Sequence, residues 1–441
     1  MSKLLIKHGT VVTLGENNQV IHDGAVLIED DKIIGVGPTS ALEASFQDGE
    51  VIDARNQVVM PGFICAHHHL YSTMARGFAP PGEPAVTFGE ILERLWWRLD
   101  RALTPEDVTY SALVPLIECI RNGTTTILDH HASPSCRDGS LDLLADAVLQ
   151  AGIRASLCYE VSDRNEPGAG VQENARFLER LQHEKTDQLA GMVGIHASFT
   201  VSDRTLEQCR SVGERYGVGY HIHVAEGVED HQHALEHHHV RTVKRLVDRG
   251  ICGEGSLFIH CIHIDDHEMD LIRDTGTIVV HNPESNMNNA VGVARVLEMM
   301  DKGILVGLGT DGMSSDMPAQ MRCAYLLHRL EKRDPRVAFV EAPQMLLFNN
   351  ARIANRFFPV KLGSIEVGAA ADLALLDYLP PTEFNSSNFL GHFIFGMVDA
   401  TVDTTIARGK VLMRNKQILV LDEERIAARS RELAAGVWER F

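Results

Sequence analysis

The chain has 441 residues, 44% apolar and 23% charged, an ordinary globular composition that excludes wholesale disorder. Lys and Arg number 41 against 60 Asp and Glu, a net charge of −19. That sign argues against a nucleic-acid partner, which needs clustered cations, and against docking on an anionic membrane. No apolar run approaches the roughly 18 residues of a membrane span. The start, MSKLLIKHGTVV, lacks the h-region and cleavage site of a secretory signal. Eight scattered cysteines with no CxxC pair read as free thiols, so the expected compartment is the cytoplasm. Histidine is the outlier, with 22 residues.

Residues 1–58 are predicted to be all β. LLIKHGTVVTL, GAVLIED, DKIIGVG and EVIDARNQVVM are Val- and Ile-rich runs separated by turn formers. From 59 to 360 short apolar strands alternate with helical stretches. The strands are VVMPGFICA (58–66), TTTILDH (124–130), IRASLCY (153–159), MVGIHAS (192–198), VGYHIHV (218–224), SLFIH (256–260), TIVVHN (277–282) and ILVGLGT (304–310). Helices are predicted over 113–123, 141–152 and 241–250, the last two ending at Gly. Eight βα units over some 300 residues fit an α/β fold of the (β/α)₈ TIM-barrel type. The alternative, an open doubly wound sheet, is expected to carry a Gly-rich phosphate turn, and no GxGxxG follows the first strand. The strand texture returns in ADLALLDY, TTIARGKVLM and KQILVLD, before an amphipathic helix at DEERIAARSRELAAGVWERF. Residues 1–58 and 361–441 are therefore expected to form one small β-sandwich, and 59–360 a catalytic barrel.

Chemistry gathers where these strands end. The first runs into Cys65-Ala66-His67-His68-His69, and residues two apart in a strand face one side, so His67 and His69 make half of a metal site or a merely polar strand end. The fifth ends His221-Ile222-His223-Val224-Ala225-Glu226, a ligand followed by an acid/base, or a buried His followed by a solvated Glu. The fourth, sixth, seventh and eighth end at His196, His260, His281 and Asp311. In a barrel such ends converge on one face, so the joint pattern predicts a metal-dependent active site.

The order PGFICAHHH, GIHASFT, HIHVAE, FIHCIHI, HNPESNMN and LGTDGMSSDM closely resembles the amidohydrolase superfamily over almost the whole chain. Within it the chain resembles the branch of cytosine deaminase, chlorotriazine hydrolases, guanine deaminase and methylthioadenosine or S-adenosylhomocysteine deaminase. LWWRLDRAL, LDHHASP, SNMNN and GHFIFGM are most similar to SsnA-type aminohydrolases. The resemblance implies that His67, His69, His223 and Asp311 hold the metal, that Glu226 is the acid/base and that His260 contacts the hydrolytic water, with Asp311 also acting on that water. It implies substrate contact at His196 and pocket shaping from His281 to Asn286. Two-metal members carry a lysine at the end of strand four; MVGIHASF has none, which favours one divalent ion per chain, Zn²⁺ first, with Fe²⁺ or Mn²⁺ as alternatives.

The implied reaction is hydrolytic deamination of a purine, pteridine, pyrimidine or triazine ring. Displacement of chloride, alkylamine or sulfide, or hydrolysis of a cyclic amide or thiohydantoin-like ring, is the alternative, because loops and not the ligand set choose the electrophile. A non-catalytic scaffold is disfavoured by the complete ligand set, and an oxidoreductase by the missing dinucleotide motif. Tyr71, Arg76 and Trp97 are further candidates for substrate contact, Trp96 and Trp97 as an aromatic lid. One of His130 and His131 is a candidate to reach the pocket, whereas His68 is read as structural. The run His231 to His239 is read as a solvated stretch, a second metal site being the alternative. The resemblance also implies a homo-oligomer, a dimer or larger.

Overall fold

Eighteen strands organise the structure, a computed structural model that describes residues 2–441. The N-terminal strands are β1 (Lys3–Val12), β2 (Val20–Glu29), β3 (Lys32–Pro38), β4 (Glu50–Asp53) and β5 (Val58–Pro61). The middle carries β6 (Phe63–His68), β7 (Thr124–His131), β8 (Arg154–Tyr159), β9 (Leu189–Gly191), β10 (Val193–Ala197), β11 (Tyr220–Val224), β12 (Leu257–His260), β13 (Ile278–His281) and β14 (Val306–Leu308). β15 (Leu373–Leu376), β16 (Val402–Ala407), β17 (Lys410–Arg414) and β18 (Gln417–Ile418) follow.

Both ends of the chain share one nine-stranded sheet, ordered β18-β17-β16-β15-β5-β1-β2-β3 with β4 beside β1. The join is the antiparallel pair β5–β15, with Val59 opposite Leu375. Period-2 alternation divides these strands between two apolar clusters. Ile6, Val59, Leu373, Leu375 and Ile406 face a small cluster of the sheet's own. Val58, Met60, Ala374 and Leu376 face the large core of the middle region.

The run 58–66 forms two strands rather than one. β5 pairs with β15 in the terminal sheet, whereas β6 pairs in parallel with β7. Gly62 is the crossing point: its N–H donates to the Asp372 carbonyl at 2.9 Å, and a Cβ there would stand 2.4 Å from the Thr125 side chain. Only glycine lets the backbone pass so close. TTIARGKVLM likewise splits into the hairpin β16–β17, and KQILVLD contributes only the two residues of β18. The predicted helices are present with shifted ends, as Pro105–Arg121, Ser140–Ala151, Thr242–Asp248 and Glu423–Arg440. Thr104 starts the first through a capping box with Asp107, one full turn before its apolar run begins.

The middle strands form two parallel sheets, β6-β7-β8-β9 and β10-β11-β12-β13-β14. Two isolated parallel bridges link them, Val161 to Ile195 and His68 to Asp311. A buried asparagine spans each link. Asn174 Oδ1 accepts from Tyr159 N–H at 2.9 Å and Gly194 N–H at 3.3 Å, while its Nδ2 donates to Tyr159 O at 2.7 Å. Asn350 Nδ2 donates to Ile64 O at 2.7 Å and Leu308 O at 2.8 Å, and its Oδ1 accepts from Leu308 N–H at 2.8 Å. These backbone groups lie where the two sheets meet and have no ladder partner from a continuous strand. Removing a side chain that satisfies three of them leaves buried polar groups unpaired. Asn350→Ala is therefore expected to lower stability by ~3 kcal/mol, read as a lowered urea midpoint. A midpoint within error of wild type would mean that solvent or neighbouring groups satisfy them.

The C-terminal helix latches the segment that follows β6. Trp438 Nε1 donates to Met74 O at 2.8 Å, Arg440 Nε to Ala102 O at 2.8 Å and Arg98 Nη2 to Phe441 O at 2.6 Å. Among the described residues no helix is long and apolar enough to cross a membrane.

Candidate active site

The C-terminal ends of the parallel strands open into a cleft. β6 delivers His67, and His69 stands one residue past its end. β11 delivers His221 and His223, β12 ends at His260, and Asp311 follows β14. His67, His223, His260 and Asp311 each offer a ligand atom within 4.8 Å of the others. His69 joins them, its Nε2 lying 3.0 Å from Asp311 Oδ1 and 3.1 Å from His223 Nε2.

Hydrogen bonds behind the imidazoles set their tautomers. His69 Nδ1–H donates to the His130 carbonyl at 2.6 Å, and His223 Nδ1–H to the His196 carbonyl at 2.8 Å. A carbonyl only accepts, so in the neutral rings both Nε2 atoms carry lone pairs, and these face each other at 3.1 Å. His260 Nδ1–H donates to Asn286 Oδ1 at 2.7 Å, which turns its Nε2 lone pair into the same space. The buried Nε2 atoms of His67 and His260 have no hydrogen-bond partner. Lone pairs that converge beside a carboxylate repel unless a proton or a cation joins them, and burial of so many donors in one place favours the cation. Three or four imidazoles and one carboxylate suit a divalent ion of the Zn²⁺ type. His67 Nδ1 lies 2.8 Å from His221 Nε2, which fixes the ring from behind.

Charge is distributed to match. Burial raises the Asp311 carboxyl, but the His67 and His69 side chains outweigh it and hold it well below the usual carboxylate range. Glu226 goes the other way. Burial, then the Asp311 charge, push its carboxyl well above the ordinary value, which favours the protonated form. Its Oε2 lies 3.3 Å from His260 Nε2. Burial depresses His223 to about 3 and holds His196 well below the usual histidine range. Backbone strain concentrates in the same place. Ala225, His260, Cys261 and Asp311 all take positive φ, with His260 at +71° and Asp311 at +55°. Non-glycine residues persist there only when the surroundings over-determine them.

The cleft wall is aromatic. Tyr71, Trp96, Trp97 and Phe199 line it together with His196. Trp97 and His196 meet edge to face at 6.1 Å, and a widened helical turn over Leu92–Trp96 brings both tryptophans to the opening. Glu160, just past β8, and Asp100 also line the cleft. Burial pushes Glu160 up to about 7, against the pull of Arg164.

Three expected contacts fall elsewhere. Arg76 does not line the cleft: the short helix Leu70–Ala75 turns the chain away, and its guanidinium pairs with Glu118 at 2.5 Å. His281 is buried beneath the site with its Nε2 3.2 Å from that of His328. Asn286 touches His260 and not the cleft, so it positions an imidazole. His130 packs under His69 and His223, and His131 bonds Ser133 Oγ at 2.8 Å. His68 points away to Ser315 Oγ at 3.1 Å. The 231–239 run lies mostly on the helix Val228–His238, with His231 on Arg241 at 2.7 Å and the His233 ring tilted against that of His237 at 4.3 Å. Sequence reasoning assigned no role to His221, Asp100 or Glu160. His221 stands two residues before His223, the spacing that drew attention to His67 and His69, and Glu160 ends a barrel-type strand as the other candidates do.

Residues 58–412 match the model of the amidohydrolase family. The chain belongs to the amidohydrolase family. It is 31% identical over its full length, and that of the relative, to a 5-methylthioadenosine/S-adenosylhomocysteine deaminase of Pelotomaculum thermopropionicum. It is 32% identical to a 5'-deoxyadenosine deaminase of Methanosarcina mazei, over 98% of both chains. An adenosine deaminase structure from Xanthomonas campestris, with bound zinc, superposes with a TM-score of 0.87 at 24% identity, covering 99% of this chain and 98% of that one. The amidohydrolase fold is thus TIM-barrel-like α/β, and the convergent His and Asp donors fit the metal dependence of the family.

Proposed function

We propose that this amidohydrolase removes the amino group of a 6-aminopurine nucleoside hydrolytically, with release of ammonia. The observation that carries the reading is a buried Glu226 carboxyl 3.3 Å from His260, its pKa raised by burial and the Asp311 charge, beside the metal donor set and under an aromatic wall. Two full-length relatives bearing names of adenosine-type deaminases support the ring class.

His67, His69, His223 and Asp311 would hold one divalent ion, Zn²⁺ by preference; β10 offers no lysine to bridge a second. Held by these residues, such an ion would lower the pKa of a water toward neutrality and so supply the nucleophile. Glu226 donates its proton to the ring nitrogen next to the amino-bearing carbon, which makes the C=N bond electrophilic. His260, its Nδ1–H committed to Asn286, presents Nε2 as an acceptor and, with Asp311, takes a proton from the attacking water. The proton taken from the water returns to Glu226 across the 3.3 Å from His260 Nε2, and Glu226 delivers it to the amino group, which leaves as ammonia; the hydroxyl proton of the tetrahedral intermediate recharges Glu226 as the C=O forms. His196 and Trp97 flank the ring.

In this reading β9 and β10 count as one strand, and the Val161–Ile195 and His68–Asp311 bridges close the two parallel sheets into an eight-stranded barrel. The nine-stranded sheet is then a second domain drawn from both ends of the chain.

The purified protein is expected to release one ammonia per 5'-deoxyadenosine or 5'-methylthioadenosine consumed, converting adenine to hypoxanthine. Ammonia from guanine or an aminotriazine alone would overturn the nucleoside assignment and keep the deaminase. Release of chloride or alkylamine from a triazine, without ammonia from any ring, would replace deamination by the other leaving-group chemistry.

A further inference from the structure

The cleft is one-sided in charge. Six acidic side chains line it, and among the described residues no lysine or arginine does. Four are accounted for. Glu226 and Asp311 belong to the chemistry. Asp230 holds the backbone N–H groups of Phe199 and Ala225, at 3.0 and 2.8 Å. Glu229 accepts from Gly89 N–H at 3.3 Å.

Asp100 and Glu160 remain. Both are more than nine-tenths buried, at 1% and 7% exposure. They share one cation, Arg164, whose Nη2 lies 2.6 Å from Glu160 Oε1 and 3.3 Å from Asp100 Oδ2. Arg164 does not line the cleft. Its guanidinium stacks over Trp97 at 4.6 Å, so its charge is committed behind the wall. One oxygen of each carboxylate is left over. Asp100 Oδ1 is buried without a hydrogen-bond partner. Glu160 Oε2 faces His130 Nδ1 at 3.7 Å, beyond hydrogen-bond reach, and that nitrogen too is unpartnered. A pair of acceptor oxygens, fixed by Arg164 on one side and unmet on the other, next to Trp97, is a built site for donors.

We propose that Asp100 and Glu160 form the subsite for the part of the substrate that does not react, and that this part is cationic or neutral and rich in N–H or O–H donors, to the exclusion of phosphate or carboxylate. The proposal rests on the deaminase reading for the reacting end alone. A buried anion meeting these carboxylates finds no cation to pair with, and like-charge juxtaposition is strongly discriminating. An ammonium or hydroxyl gains charge-assisted hydrogen bonds.

The test is a series of adenosines differing only at the 5' position: ammonium, methylthio and phosphate. The methylthio compound is expected to exceed the phosphate by about 100-fold or more in kcat/KM, with the ammonium compound at least equal to it. Glu160→Gln is expected to lower the ammonium-to-methylthio ratio about tenfold, and Asp100→Asn likewise. A merely structural role lowers all three substrates together and leaves the ratio fixed. The same series is bound calorimetrically to the Glu226→Gln protein, which needs no turnover. Ammonia from all three compounds at similar kcat/KM, or ratios unmoved in both variants, would overturn the subsite while leaving the deaminase standing. Binding ordered by charge without ammonia from any compound would overturn the deaminase and leave the subsite.

Discussion

Glu226→Gln is expected to lower kcat by roughly 10²- to 10⁴-fold while the protein keeps its metal. The substitution changes almost nothing in shape. It removes the carboxyl that relays both protons of the proposed reaction, the first to the ring nitrogen and, once recharged by the water, the second to the leaving amine. Burial and the nearby Asp311 charge favour the protonated form of Glu226, the form that donates. Glutamine carries N–H donors in the same place, but it does not release a proton to the ring. Metal retention follows from position: Glu226 lies past the ligand strand β11 and faces His260, and it is absent from the donor groups that converge on Asp311. Steady-state kinetics together with metal content of the same preparation checks both halves. Wild-type turnover in Glu226→Gln would move proton transfer to another group. Loss of metal would make Glu226 a ligand.

Much of this site was legible because a row of parallel strands converts a linear pattern into a spatial one. Histidine or aspartate at the ends of apolar runs became a shared cleft, since parallel strands present their C-terminal ends to one face. The same rule, applied evenly, would have reached Glu160. It failed where the chain leaves the strand. Arg76 lies seven residues past His69 in sequence, yet a short helix turns it out toward Glu118. His281 ends a strand and still lies outside the cleft, its Nε2 3.2 Å from that of His328. The split at Gly62 left no hydrophobic trace, for both halves of the 58–66 run are buried, one in each sheet. Only the Pro61-Gly62 dipeptide marks it. The pairing of Asp100 with Glu160 through Arg164 spans 64 residues, and no local pattern encodes it.

Removing the metal is expected to abolish turnover and to lower thermal stability, with re-addition of Zn²⁺ restoring both. The energetic case lies in what the donor set costs by itself. Nε2 lone pairs of His69 and His223 oppose each other at 3.1 Å, and those of His67 and His260 are buried without partners. Ala225, His260, Cys261 and Asp311 hold left-handed backbone around them, a conformation that costs of order 1–3 kcal/mol per non-glycine residue. A cation bound by the folded state alone offsets these terms, and stability rises with its occupancy as RT ln(1 + [L]/Kd). The melting temperature of chelated protein should therefore fall by several degrees, and it should recover in order of affinity when Zn²⁺, Fe²⁺ or Mn²⁺ is returned. His223→Ala should behave as the chelated protein does and no longer respond to added metal, since its Nε2 is central to both convergent donor groups. About one ion per chain at full activity agrees with a site whose fourth strand lacks lysine. Two ions would require a bridge that β10 does not supply, and undiminished turnover in metal-free protein would remove the metal from the reaction and leave Glu226 and His260 to activate water unaided.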